Sequence, residues 1–139
     1  MKYNYEYPRA LNTVDIIITT ADNKILLIKR LNEPYKNMWA LPGGFIEMNE
    51  KLIDSAKREL EEETNLKNIE LKQFRAYGDP GRDPRGRNMA VVFYGTCSFP
   101  ADAKAGDDAC ETKWVDINNL PKMAFDHQTI IEDFTGSVI

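Results

Sequence analysis

The chain holds a single histidine, His127, and only two cysteines, Cys97 and Cys110, in 139 residues. One imidazole excludes any metal site made of several histidines. The cysteines form no CxxC pair, so reduced thiols in a cytoplasmic protein are the expectation. Basic residues are not in excess: 18 lysines and arginines stand against 22 acidic residues, a net charge of −4. A general nucleic-acid binder would carry the opposite balance. A small anionic substrate remains compatible, because metal ions can supply positive charge locally. No apolar run approaches the ~18 residues of a membrane span. The N-terminal MKYNYEYPRA lacks the apolar segment of a signal peptide. Repeats, low-complexity tracts and linkers are missing too. What remains, 42% hydrophobic and 29% charged, suits one soluble globular domain with a real core.

Against that ordinary background one stretch stands out, Gly43 to Leu66, GGFIEMNEKLIDSAKRELEEETNL. It reads as a glycine loop running into one helix. Asn49 suits the N-cap. Glu50 then falls in the first turn, where a negative charge suits the positive end of the dipole. Asn65 suits a left-handed stop, and Leu66 can fold back on Leu60. Ile53, Ala56 and Leu60 form an apolar stripe that would pin the helix to a core.

The polar side of this helix is costly. Glu59, Glu61, Glu62 and Glu63 crowd its last turns, where the dipole disfavours anions by roughly 0.3–1 kcal/mol each. Glu59 also faces Glu62 and Glu63 at i+3 and i+4, which adds a few tenths of a kcal/mol of repulsion per pair. At about 100° per residue these three share one sector. Arg58 reaches Glu62 at i+4 and offsets only part of the cost. A helix built just for solubility would interleave more lysine. A hard divalent ion answers the excess: magnesium takes oxygen ligands and joins carboxylates to substrate phosphates. Pro42-Gly43-Gly44 would let the backbone approach such a ligand closely.

The run Gly44, five residues, Glu50, seven residues, Arg58-Glu59-Leu60, one residue, Glu62-Glu63, one residue, Asn65-Leu66 resembles the Nudix box. It departs only at Asn65, where that family usually has glycine; asparagine keeps the helix stop and touches no carboxylate. The resemblance implies an α/β fold, an α/β/α sandwich with a mixed sheet between helices. It also implies a hydrolase of nucleoside diphosphates linked to another moiety, dependent on magnesium or manganese. By match to the box, Glu59, Glu62 and Glu63 would hold metal and Arg58 would orient them. Glu47 and Gly44 join as candidate ligands, with Gly43 and Gly44 beside the substrate.

Along the rest of the chain, Leu11 to Thr20 and Lys24 to Arg30 read as an antiparallel hairpin turning at Asp22-Asn23. Trp39 to Pro42 reads as a short strand, with Trp39 packing. Asn68 to Tyr77, Asn88 to Ser98 and Glu111 to Val115 follow as strands, with Val91, Val92 and Phe93 in the core. Phe125 to Phe134 reads as a closing helix that buries Ile130, Ile131 and Phe134. Strands interrupted by one helix and closed by another suggest layers.

Two further places bear on specificity. The loop Tyr77 to Asn88, YGDPGRDPRGRN, carries Arg82, Arg85 and Arg87 among turn formers. Read alone it is a solvated hairpin, but guanidinium forks there could grip phosphate. The loop resembles its counterpart in the ADP-ribose pyrophosphatases of the Nudix family. AFDHQTII, Ala124 to Ile131, resembles that subgroup's terminal helix. The resemblance implies ADP-ribose as substrate, with AMP and ribose 5-phosphate as products, and raises Arg30 from a solvated side chain to a phosphate contact. A homodimer is implied only by the resemblance. His127 is expected to cap or pack the last helix. Asp107 and Asp108 read as a solvated loop, whereas Glu111 could reach the metal site as ligand or base. Glu47, Glu62, Glu63 and Glu111 all remain open as the base, and Tyr77, Phe93 or another aromatic is a candidate to stack on adenine, with no spacing that singles one out. The alternatives are another nucleotide substrate, such as an oxidised nucleoside triphosphate or a different nucleotide sugar, and a non-catalytic ADP-ribose sensor. Regulators of the latter kind add a DNA-binding domain; only Thr135 to Ile139 follow the expected last helix, which favours catalysis.

Overall fold

A computed structural model of the chain describes residues 2–98 and 109–137, with side chains from residue 111 onward in the second stretch. In chain order the elements are β1 (Leu11–Thr20), β2 (Lys24–Arg30), β3 (Trp39–Ala40), β4 (Gly43–Phe45) and α1 (Leu52–Thr64). Then come β5 (Lys72–Tyr77), β6 (Asn88–Cys97), β7 (Ala109–Asp116) and α2 (His127–Ser137). The sheet runs β3-β2-β1-β6-β5, with β4 on β1 and β7 on β2. It is mixed: β1 and β6 are parallel from Leu11↔Asn88 to Thr20↔Cys97, and the other strand pairs are antiparallel.

Strand alternation sends the β-branched residues of β1 to both faces. Val14, Ile16 and Ile18 meet Ala56 and Leu60 of α1. Ile17 meets Ile130, Ile131 and Phe134 of α2. The result is the expected α/β/α sandwich. None of its described helices is long and apolar enough to cross a membrane.

The hairpin is correct at its turn, where Asn23 takes a left-handed φ of 62°. Beyond the Thr19↔Ile25 pair its arms separate. The segment from Trp39 to Phe45 threads between them, pairing Ala40 with Ile28 and Gly43 with Asp15. This opening is what makes room for a site.

Gly43–Phe45, expected as a loop, pairs as strand β4, and α2 runs on past Phe134 to Ser137. Three element starts also differ from expectation. The α1 helix begins at Leu52 behind Lys51, without a side-chain cap, so Asn49 does not cap it. The β5 strand begins at Lys72, because Asn68 turns the chain with a φ of 61°. The α2 helix begins at His127, because Phe125 has a φ of 52°. At the other end of α1, Asn65 is left-handed at φ 62° and Leu66 packs with Leu60, as the sequence indicates. Asp107 and Asp108 lie outside the described residues.

Candidate active site

The two glycines of β4 serve the carboxylates of α1. A Cβ on Gly44 would stand 2.3 Å from Oε2 of Glu59, so only glycine admits that carboxylate. The Gly43 N–H donates to Oε1 of Glu63 at 3.0 Å. Glu63 is 6% exposed, and this bond meets part of its need for a partner.

Arg58 braces the acidic cluster from its centre. Its Nε and Nη2 donate to both oxygens of Glu50 at 2.7 and 2.9 Å. Its Nη1 donates to Glu59 at 2.7 Å and to Glu62 at 3.3 Å, and Nη2 also reaches the Phe45 carbonyl at 3.1 Å. Glu50, ahead of the helix, therefore acts as the anchor for Arg58. The Arg58 bonds, followed by that from the Ser55 hydroxyl, hold the Glu50 carboxyl down at about 2. The same bonds to Glu50 push the Arg58 guanidinium above its ordinary range.

A cavity of about 540 Å³ opens beside this cluster. It is lined by Arg58, Glu59, Glu63, Glu47, Gly43 and Gly44 on the α1 side, and it also takes in Arg30, Arg82 and Arg85. Glu62 stays half-exposed beside Arg58, outside the lining. Glu111 is not brought to the site. Its strand pairs with the edge of β2 opposite β3, which sets Glu111 against Lys29 at 3.5 Å, outside the lining. Of the four candidate bases, Glu47 and Glu63 line the cavity.

The arginines divide by role. Arg82, with a side chain 5% exposed, donates through Nε and Nη2 to Asp126 at 2.9 and 2.7 Å. Burial opposes its charge, and the Asp126 bonds more than offset this, raising its pKa. It ties the 77–88 loop to the start of α2. Arg85 is held by Asp83 at 3.1 and 2.8 Å and lies over the rings of Phe45 and Phe125, 5.3 and 5.6 Å from their centroids. Burial pushes the Asp83 carboxyl up, but the bonds from Arg85 and Asn88 prevail and hold it at about 2. Arg30 donates Nε to the Pro34 carbonyl at 2.7 Å and stacks 5.0 Å over Phe125.

Tyr77 and Phe93 do not offer rings to this cavity. Tyr77 packs toward α2 and donates to Asp133 at 2.9 Å, its pKa raised to about 12 by burial and by that carboxylate. Phe93 is buried under α1. Phe45 and Phe125 line the cavity instead. His127 is buried, and its Nδ1 accepts the Leu41 N–H at 3.0 Å. Its Nε2 lies 3.6 Å from Oδ2 of Asp15. Burial lowers the histidine pKa and raises that of Asp15. Asp15, Phe45 and Phe125 are among the lining residues that sequence reading missed. Asp15 carried a signal: it is the only acid within the apolar strand LNTVDIIITT.

For a divalent ion the donor chemistry fits, because Glu47, Glu59, Glu62 and Glu63 offer oxygen alone. Among the described residues no three acidic, histidine or cysteine side chains form a ready-made ligand cluster. Arg58 and the Gly43 N–H hold the carboxylates instead. Each carboxylate has about four lone-pair sites, so those bonds do not exhaust its capacity.

The chain is similar to known proteins in sequence and fold. A NUDIX domain model matches residues 10–134. The ADP-ribose pyrophosphatase of Methanocaldococcus jannaschii is 48% identical over 117 residues, covering 84% of this chain and 69% of that protein. The ADPR responsive transcriptional repressor NtrR of Acinetobacter baylyi is 36% identical over 134 residues, 91% of this chain and 54% of the repressor. A crystal structure of the NUDIX domain of Shewanella oneidensis NrtR, complexed with ADP ribose, superposes with a TM-score of 0.86. The identity is 30%, over 98% of this chain and 95% of that one.

Proposed function

Because the chain belongs to the NUDIX domain family and is a Nudix hydrolase, we propose that it cleaves the diphosphate of ADP-ribose to AMP and ribose 5-phosphate. The observation that supports this best is the bracing of Glu59 and Glu63 by Arg58 and the β4 glycines, at a cavity that also holds Arg85 and Arg30. A volume of about 540 Å³ suits a nucleotide-sized ligand.

Glu59, Glu62 and Glu63 would hold magnesium or manganese, with Glu47 and the Gly44 backbone beside them. When bound, such an ion supplies charge neutralisation for the diphosphate and polarises its oxygens. The chain's own residues do the rest. Arg58 keeps mutually repelling carboxylates in one geometry, so none must reorganise during the reaction. Arg85 presents a guanidinium to the phosphates from between two aromatic rings, and Arg30 approaches from β2. Phe45, exposed at the cavity, offers a face on which adenine stacks, while Phe125 backs Arg30 and Arg85. A carboxylate of the cavity, Glu47 or Glu63, takes the proton of the attacking water.

A second reading, binding of ADP-ribose without cleavage, draws on the similarity to the repressor. One experiment separates the readings. Purified protein with magnesium is offered ADP-ribose, other nucleotide sugars, dinucleoside polyphosphates and nucleoside triphosphates. Fastest turnover of ADP-ribose is expected. Preference for a triphosphate would move the substrate, and tight binding with no turnover would favour the sensor. The family resemblance also carries a cytoplasmic homodimer, which light scattering and cell fractionation test.

A further inference from the structure

We propose that Asp15, with His127 beside it, receives a ribose hydroxyl of the substrate at the floor of the cavity. This rests on the ADP-ribose reading and sharpens it.

The Asp15 side chain is 9% exposed and lines the cavity. Among the described residues, no donor comes within hydrogen-bonding distance of its carboxylate; the nearest polar partner given is His127 Nε2, at 3.6 Å. A buried carboxylate without hydrogen bonds is costly, and in native proteins such groups are satisfied by something. His127 is oriented for the same purpose. Its Nδ1 accepts the Leu41 N–H, so the neutral ring carries its proton on Nε2, the atom that faces Asp15.

An acceptor and a donor this close match a hydroxyl. The O–H donates to the carboxylate, and the same oxygen accepts from Nε2. A phosphate oxygen matches poorly, having no proton to donate and a charge of the same sign as Asp15.

Position selects the sugar over the base. Oδ1 of Asp15 lies where a Cβ on Gly43 would approach to 2.4 Å. The N–H of Gly43 holds Glu63, and Gly44 abuts Glu59. The Asp15 carboxylate is therefore next to the place assigned to the diphosphate. In ADP-ribose the groups bonded directly to the diphosphate are its two riboses, and adenine lies one sugar further out.

The test measures kcat/KM with magnesium for ADP-ribose and for analogues that each lack one ribose hydroxyl, in the wild type, Asp15→Ala and Asp15→Asn. One analogue should be about 10- to 100-fold poorer for the wild type, the loss expected when a charged hydrogen bond is removed. Asp15→Ala should handle ADP-ribose as poorly as the wild type handles that analogue, and lose nothing further when given it. The ribose that carries the sensitive hydroxyl tells which side of the diphosphate is bound. Thermal melting establishes that the variants fold; if the alanine variant does not, Asp15→Asn completes the cycle, with a loss that shrinks. Equal kcat/KM for all analogues in the wild type, or a loss that persists undiminished in the Asp15 variants, overturns this inference alone. A wild type that does not hydrolyse ADP-ribose overturns the proposed function and this inference together.

Discussion

Gly44 and Glu59 leave no room for a side chain between them: a Cβ on Gly44 would stand 2.3 Å from Oε2 of Glu59. The obstructed atom is the end of a flexible side chain, so Gly44→Ala should displace the carboxylate and spare the fold. A shift of about 1 Å at a reacting centre can cost roughly 100-fold. The expected result is a kcat lowered by about that factor with a Tm within a few degrees of wild type. Gly43→Ala should behave differently, because its Cβ would meet the Val14 carbonyl at 2.2 Å. Backbone must part there, and the melting temperature should fall.

Glu63→Gln keeps an oxygen to accept the Gly43 N–H, so the local structure should survive. What disappears is the charge. Turnover at saturating ADP-ribose should fall by about two to three orders of magnitude, the range for removing an electrostatic contact made at the reacting centre. Glu62→Gln should fall comparably, although its side chain is half-exposed. Undiminished kcat in both variants would remove the metal mount from consideration.

Arg85 and Arg82 should separate in their effects. Arg85 is partly exposed over two cavity rings, so Arg85→Ala should raise KM for ADP-ribose by about tenfold with little change in Tm. Arg82 is buried against Asp126, and removing one partner of such a pair typically costs about 3 kcal/mol. Arg82→Ala should show that cost in chemical denaturation. A normal denaturation midpoint for Arg82→Ala would contradict its assignment as a tie between loop and helix.

Acid stability should report Glu50. Its carboxyl is held at about 2 in the folded chain, by Arg58 first and Ser55 second, against about 4.5 without those contacts. A group lowered by folding stabilises the folded state above its unfolded pKa, and the contribution is lost as pH falls through the folded value. Denaturant midpoints of wild type and Glu50→Gln should therefore differ most above about pH 4.5 and converge near pH 2. A gap that does not shrink on acidification would mean that the Glu50 charge is not what holds Arg58.

How much could be read in advance follows the range of each interaction. The Arg58–Glu62 contact was legible because helical spacing alone brings i and i+4 together. The Arg58–Glu50 pair was not, because Glu50 precedes the helix and reaches Arg58 through a loop. Glu111 was misjudged for the opposite reason: its strand was foreseen, but the edge of β2 on which it would pair was not.

Local chemistry in the chain was enough to determine the strands other than β4, the acidic helix with its left-handed stop at Asn65, and the apolar stripe that seats it on the sheet. Periodicity and backbone preference act over a few residues, so they survive in a linear text. Only the tertiary structure decided that the hairpin arms part, that β4 enters between them, and that Asp15 and His127 meet from positions 112 residues apart. Such meetings depend on which strand edges pair, and that depends on the burial of the whole core at once.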